Sequence, residues 1–395
     1  MSATAQTPAV MAGRSKSTLL SAGMLLLAGA HAVTDLFSST VATLQPVLGE
    51  RFDLSLTQAG VTSGVFMFAS AIMQLPFGIW SDRLHSRMFS ILGPLAAAVF
   101  LSSICLANGF AMLLALAALG GMGVAAFHPQ STKEAARLSG ERKGFGVALF
   151  ITAGTFGLAL GPLYFSAVIS AFTFDRFYLA MLPALVLCGL LLWKLPPPGD
   201  VTAGPKGIDW AALGSQWKPL TQLYILVVLR SVVQLGTSQF LTLYLTRERG
   251  YSIESASLVL AMFFLAASAG SFVGGSLSDR FGGRAVTVLS MAASAPFLGG
   301  FLLTDGWISL ACLFLGGLML LLTIPVNVVM AQELVPSQAG IVTSLMMGFA
   351  WGMAGITFIP LIGWLGDQVG LQTVLWGVAL APLLGIWPAL RLPRG

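Results

Sequence analysis

Charge is scarce in this chain. Asp, Glu, Lys and Arg make up 9% of its 395 residues while 56% are hydrophobic; an ordinary soluble domain carries about 25% charge. A water-soluble globule of this size cannot hide that much apolar surface. Histidine and cysteine occur three times each. Cys105, Cys188 and Cys312 stand singly inside apolar runs, which excludes a disulfide framework and a thiolate metal site. The apolar runs contain no His-Glu-x-x-His pattern and no Ser/His/Asp grouping at one depth. The chain therefore reads as a non-enzyme with no catalytic residues, no metal and no cofactor.

What is abundant is long apolar sequence. Twelve blocks can be counted, centred near residues 33, 69, 97, 119, 156, 186, 232, 267, 293, 318, 351 and 380. Each is long enough for the roughly 20 residues that cross a hydrocarbon core. In lipid such blocks must be helical, because a helix satisfies every backbone N–H and C=O internally. An imitation of a cleavable signal peptide, with Arg14 and Lys16 before the run Leu19–Ala30, is outweighed by apolar sequence that continues past Ala32. The net charge of +5 reflects topology and not nucleic-acid binding. With the N-terminus inside, fifteen Lys and Arg fall on the cytoplasmic side, and only Arg51, Arg176, Arg247 and Arg249 fall outside. Both termini are thus expected in the cytoplasm.

An internal repeat organises the blocks. Residues 78–87 read GIWSDRLHSR and residues 275–284 read GSLSDRFGGR, an offset of 197. Gly154, Gly157 and Pro162 recur as Gly352, Gly355 and Pro360 at an offset of 198. Residues 196–218, rich in Pro, Gly and polar groups, separate the copies. The expected organisation is a tail at 1–17, a six-helix bundle at 18–195, a cytoplasmic linker at 196–218, a second bundle at 219–391 and a tail at 392–395. This is an all-α integral membrane protein of 12 helices. Its halves are parallel, related by a pseudo-two-fold axis along the membrane normal, which is the major facilitator architecture.

The Gly-x-x-x-Asp-Arg-x-x-x-Arg loop after the second block, copied after the eighth, resembles the signature loop of the major facilitator superfamily. Within it, several segments resemble the fosmidomycin-resistance group of bacterial drug/proton antiporters: His31-x-x-x-Asp35, Gln74, Phe127-His128-Pro129, Ser139-Gly140 and Ala331-Gln332-Glu333-Leu334-x-Pro336. The resemblance covers nearly the whole chain. It implies a bacterial inner-membrane exporter, driven by the proton gradient, that expels a small toxic compound and works as a monomer. A proton-coupled importer or a uniporter of a small organic anion is the rival reading, and a membrane sensor or embedded enzyme the more distant one.

Only Asp35 and Arg230 place a charge well inside the blocks. An ionised group near the midplane costs at least about 2.5–3.5 kcal/mol, so it faces a partner or a wet cavity. The repeat offset puts the two within one turn of the same depth, and they are expected to face each other. Asp35 reads as a proton carrier or as a structural partner of Arg230. His31, four residues earlier on the same face, relays or tunes that proton or is simply hydrogen-bonded in the bundle. His31 and Asp35 alone are too few for a metal. Arg230 offers a fork of donors for an anionic substrate, with Gln74 and Gln234 as polar cavity liners. By resemblance, Asp82, Arg83, Arg87, Asp279, Arg280 and Arg284 form a latch that holds the cytoplasmic side closed, each Asp meeting a helix N-terminus of the other half. Gly157, Gly161, Pro162, Gly352, Gly355 and Pro360 read as close-packing and kink positions. His128 and Glu333 are expected at cytoplasmic helix ends, as proton stops or solvated groups.

Overall fold

The computed structural model describes residues 21–84, 86–139, 143–197 and 208–393. Arg14, Lys16, His85, Gly140, Arg142, Lys206 and Arg394, the tail at 1–17 and the Asp82 side chain lie outside the described residues.

Twelve membrane-length helices follow in order. The first half holds α1 (Ala22–Arg51), α2 (Leu56–Ser81), α3 (Met88–Leu106), α4 (Phe110–Leu138), α5 (Phe145–Phe172) and α6 (Phe174–Lys194). The second holds α7 (Trp217–Arg247), α8 (Ile253–Phe281), α9 (Gly283–Leu303), α10 (Gly306–Leu334), α11 (Pro336–Val369) and α12 (Leu371–Leu390). Successive helices alternate in direction. The start of α1, the end of α6, the start of α7 and the end of α12 therefore share one face, the termini face, and the α1–α2 and α7–α8 turns lie on the opposite, distal face. Within the expected linker Trp210–Ser215 forms a short helix with the Asp209 carboxylate capping the Ala212 amide, and α7 begins at Trp217.

Local chemistry sets the helix ends. Ser55 and Gln58 form a capping box at the start of α2, each side chain accepting from the other's amide. Ser252 caps α8 by accepting from the Ser255 amide. Gly282, with φ of +81°, turns α8 directly into α9, a conformation that a side chain resists. Apolar side chains such as Leu75, Phe272 and Trp307 stay largely exposed around the outside of the bundle, as a lipid-facing surface requires.

Within the first half α1 packs on α4 and α5, and the halves meet where α2 lies along α11 and α5 along α8. Hydrogen bonds join the halves at three places toward the distal face. Thr242 donates to the Ala42 carbonyl at 2.6 Å, Asp367 accepts from the start of α2, and Ser170 donates to Glu254 at 3.0 Å.

Candidate functional site: a buried histidine–aspartate cluster at the interface of the halves

Asp35 sits on the inner face of α1 between two histidines. His31, one turn earlier, brings Nε2 to 3.2 Å from Asp35 Oδ2. His128, from α4, brings Nε2 to 3.5 Å from Oδ1. The other nitrogen of His31 lies 2.8 Å from the Phe150 carbonyl on α5. A carbonyl only accepts, so His31 Nδ1 carries a hydrogen and donates it. Its Nε2 then faces a carboxyl oxygen, and that contact needs one more proton, on the ring or on the carboxyl. The pair is therefore a place where one dissociable proton can be held.

The surroundings fix the cluster. The His31 ring packs against Phe150 with centroids 4.1 Å apart and meets the His128 ring edge-on at 5.2 Å. Gly154 of α5 forms the floor: a methyl group there would come within 2.6 Å of Asp35 Oδ2. His31 is 7% exposed. Asp35 and His128 open onto a cavity of about 230 Å³ between the halves. Ser70, Gln74, Gln234 and Gln239 give the cavity polar points, and Phe66, Leu158, Phe264 and Trp351 give it apolar walls. That mixture suits a small organic molecule with a few polar groups. His31, Asp35 and His128 also present ligand atoms within 4.8 Å of one another, a three-donor set for a divalent cation. The sequence reading had counted only two of these donors.

Two expectations need correction. His128 is no helix-end group: α4 continues through Pro129 to Leu138 with Gln130, Ser131 and Glu134 buried, so His128 lies beside Asp35. Arg230 makes no ion pair with Asp35. It is 4% exposed, donates from Nη1 to Gln234 Oε1 at 2.7 Å, and leaves Nε buried without a hydrogen-bond partner. Gln234 in turn reaches the cavity, as does Gln74, which also donates to the Ser70 carbonyl at 2.9 Å. Sequence reasoning saw Gly154 only as part of the repeat, and it missed Asn327 on α10, which is buried with neither amide atom partnered.

Of the loop residues expected to form the latch, the described side chains are placed as follows. Arg87 donates to the Leu192 and Leu195 carbonyls at the end of α6, capping that helix. Asp279 is exposed and has no hydrogen bond or ion pair to another described residue, and Arg280 lies over the Phe281 ring at 5.2 Å. Arg83 is exposed, Arg284 half-buried, and Glu333 exposed at the end of α10. The glycines do pack closely. Gly157 and Gly161 bring α5 onto α1 at Ala32 and Ser39, and Gly352 and Gly355 bring α11 onto α2 at Ala71 and Met67. Pro162 lies within α5 and Pro360 within α11, the latter against Gly60 and Gly64.

Comparison with known proteins gives a consistent picture. The profile of the Major Facilitator Superfamily matches residues 27–256 and 223–394. The chain is 30% identical to the fosmidomycin resistance protein of Escherichia coli strain K12 over 97% of both chains. It is 27% identical to an uncharacterized MFS-type transporter, YfnC, of Bacillus subtilis strain 168, over 92% of this chain and 91% of that one. Among solved structures it is similar to a bacterial homolog of the human lysosomal transporter Spinster in an inward-facing, occupied conformation, with a TM-score of 0.77 at 15% identity, covering 94% of this chain and 97% of that one. With twelve apolar helices and these relatives, the chain is a multi-pass membrane protein and belongs to the Major Facilitator Superfamily.

Proposed function

We propose that this protein is a proton-coupled antiporter of the bacterial inner membrane, with both termini in the cytoplasm, exporting a small, anionic, drug-like compound by alternating access. The observation that carries the reading is the contact of His31 Nε2 with one Asp35 carboxyl oxygen and of His128 Nε2 with the other, at the wall of a cavity shared by the halves. The name of the Escherichia coli relative points to phosphonates as the substrate class to try first.

In this reading the cluster picks up its proton when the cavity opens outward, where protons are abundant. It gives the proton up when the cavity opens to the more alkaline cytoplasm. Asp35 and His128 line the same cavity as Gln234, so one bound substrate meets both ends of it and its affinity depends on the cluster's proton. Gln234, which lines the cavity from the opposite half and accepts from Arg230 behind it, is placed to meet the anionic group of the substrate, with the Arg230 charge at its back. The cavity is complete within one chain, in keeping with a working monomer.

The test is uptake of labelled fosmidomycin into everted vesicles energised to be acid inside. Antiport predicts accumulation that collapses with a protonophore. Uptake only when the gradient is reversed would replace export by proton-coupled import. Gradient-independent equilibration would make the protein a uniporter.

A further inference from the structure

The distal face carries two cross-half contacts that share one chemistry with its parts exchanged. At the start of α2 the capping box uses the Ser55 and Gln58 amides and leaves those of Leu56 and Thr57 without a partner in their own helix. Asp367, at the end of α11 in the other half, takes both: Oδ1 accepts from Leu56 N at 2.8 Å, and Oδ2 from Thr57 N at 2.8 Å and Thr57 Oγ1 at 2.5 Å. A carboxylate on the positive end of a helix is favourable. At the pseudo-equivalent corner, Ser170 near the end of α5 donates to the carboxylate of Glu254 in the first turn of α8 at 3.0 Å.

The repeat relates the two corners. Thr57 and Glu254 are 197 residues apart, the offset of the Asp82 and Asp279 loops that end the same two helices. Ser170 and Asp367 are also 197 apart, within one position of the equivalence set by Pro162 and Pro360. A hydroxyl in one corner thus stands where a carboxylate stands in the other. Both corners bridge the halves, and both must break before the distal face opens. Asp367 and Thr57 form the stronger clasp, because Asp367 alone completes the cap of α2.

We infer that these exchanged hydroxyl–carboxylate clasps are the distal gate, holding that face closed and setting the balance between the two orientations of the cavity. Removing the Asp367 carboxylate shifts the resting population toward a distal-open state. The shift is about tenfold, the scale of one or two charge-assisted hydrogen bonds screened by water. Losing Glu254 gives a smaller shift in the same direction, and the two together a larger one. Losing only the Thr57 hydroxyl does less than losing Asp367, since both backbone bonds remain.

Spin labels on Asn108→Cys and Asp305→Cys, exposed in the distal loops of opposite halves, report the separation in the purified, reconstituted full chain after the native cysteines are replaced. Without substrate or proton gradient, so that lost proton coupling does not enter, the longer-distance population should rise about tenfold in Asp367→Ala and several-fold in Glu254→Gln. Thr57→Val, which leaves the cap of α2 largely intact, should shift it measurably less than Asp367→Ala. Distance distributions identical to the parent in Asp367→Ala, or in Thr57→Val and Glu254→Gln combined should Asp367→Ala fail to fold, would overturn the gate.

Discussion

The proton inventory around Asp35 follows from one neighbour. Because the Phe150 carbonyl claims His31 Nδ1, only Nε2 is left to share a proton with Asp35. Asp35→Asn keeps the shape and removes the titratable group, so gradient-driven transport in vesicles should fall about 100-fold or more. Substrate exchange across the same vesicles without a gradient should survive. Gly154→Ala forces a methyl group toward Asp35 Oδ2. It should cut driven transport while leaving the protein extractable and monodisperse, since overpacking of this kind costs about 1–3 kcal/mol; gel filtration beside a transport assay checks both halves of that expectation. At this scale the sequence was half legible. Asp35 and His31 stood out because charge and histidine are so rare in the apolar blocks. His128 was displaced to a helix end because Pro129, Lys133 and Arg137 look like a terminus, whereas buried Gln130, Ser131 and Glu134 carry α4 on to Leu138, nearly three turns further. Gly154 was seen as part of a repeat, but nothing in a glycine's surroundings along the chain tells which side chains from another helix will rest on it.

Individual helices show where the bundle is rigid and where it yields. Helix α1 is interrupted by a turn at Ser39, just beyond Asp35, and α11 contains a π-helical turn at Leu345–Phe349, a feature common at functional sites. Both irregularities lie in helices that border the cavity. By contrast the end of α9 is tied down. Arg249 donates to the carbonyls of Phe301, Leu302 and Thr304 at 2.9, 3.1 and 3.0 Å, to Ser309 Oγ at 2.9 Å and to the Tyr244 hydroxyl at 3.0 Å. Arg249→Ala leaves those carbonyls without their donor, and should cost about 2–4 kcal/mol, seen as a lowered thermal midpoint in detergent. Arg249→Lys should recover only part of it, because an ammonium cannot reach all five acceptors at once. The sequence listed Arg249 only among the charges outside the membrane; its role depends on α9 and α10 meeting at one corner, which no local pattern encodes. Helix number and approximate position were legible, since twenty apolar residues have few alternatives in lipid.

The two halves are one design used twice, and the repeat exposed that before any coordinates. What it could not say is which corners are closed. The Asp82 and Asp279 loops suggested a latch on the termini face; Asp279 is exposed there, and among the described residues the carboxylate that caps a helix of the other half is Asp367 on the distal face. A sequence records the parts of both gates at once, while a structure shows one conformation of them. Nor did equal depth along pseudo-equivalent helices bring Asp35 and Arg230 together: each is held by neighbours of its own half, His31 and His128 for one and Gln234 for the other. That separation leaves Asp35 and His128 on one wall of a single cavity and Gln234, with Arg230 behind it, on the other, joined through whatever fills it. The most direct measurement is therefore of protons and substrate together, in proteoliposomes loaded with a pH-sensitive dye and given a substrate gradient alone. The account predicts that substrate running down its gradient drives protons the opposite way with the parent protein, and that Asp35→Asn passes substrate with no pH change. Substrate flux through the parent with no proton movement, or a proton flux undiminished in Asp35→Asn, would contradict it.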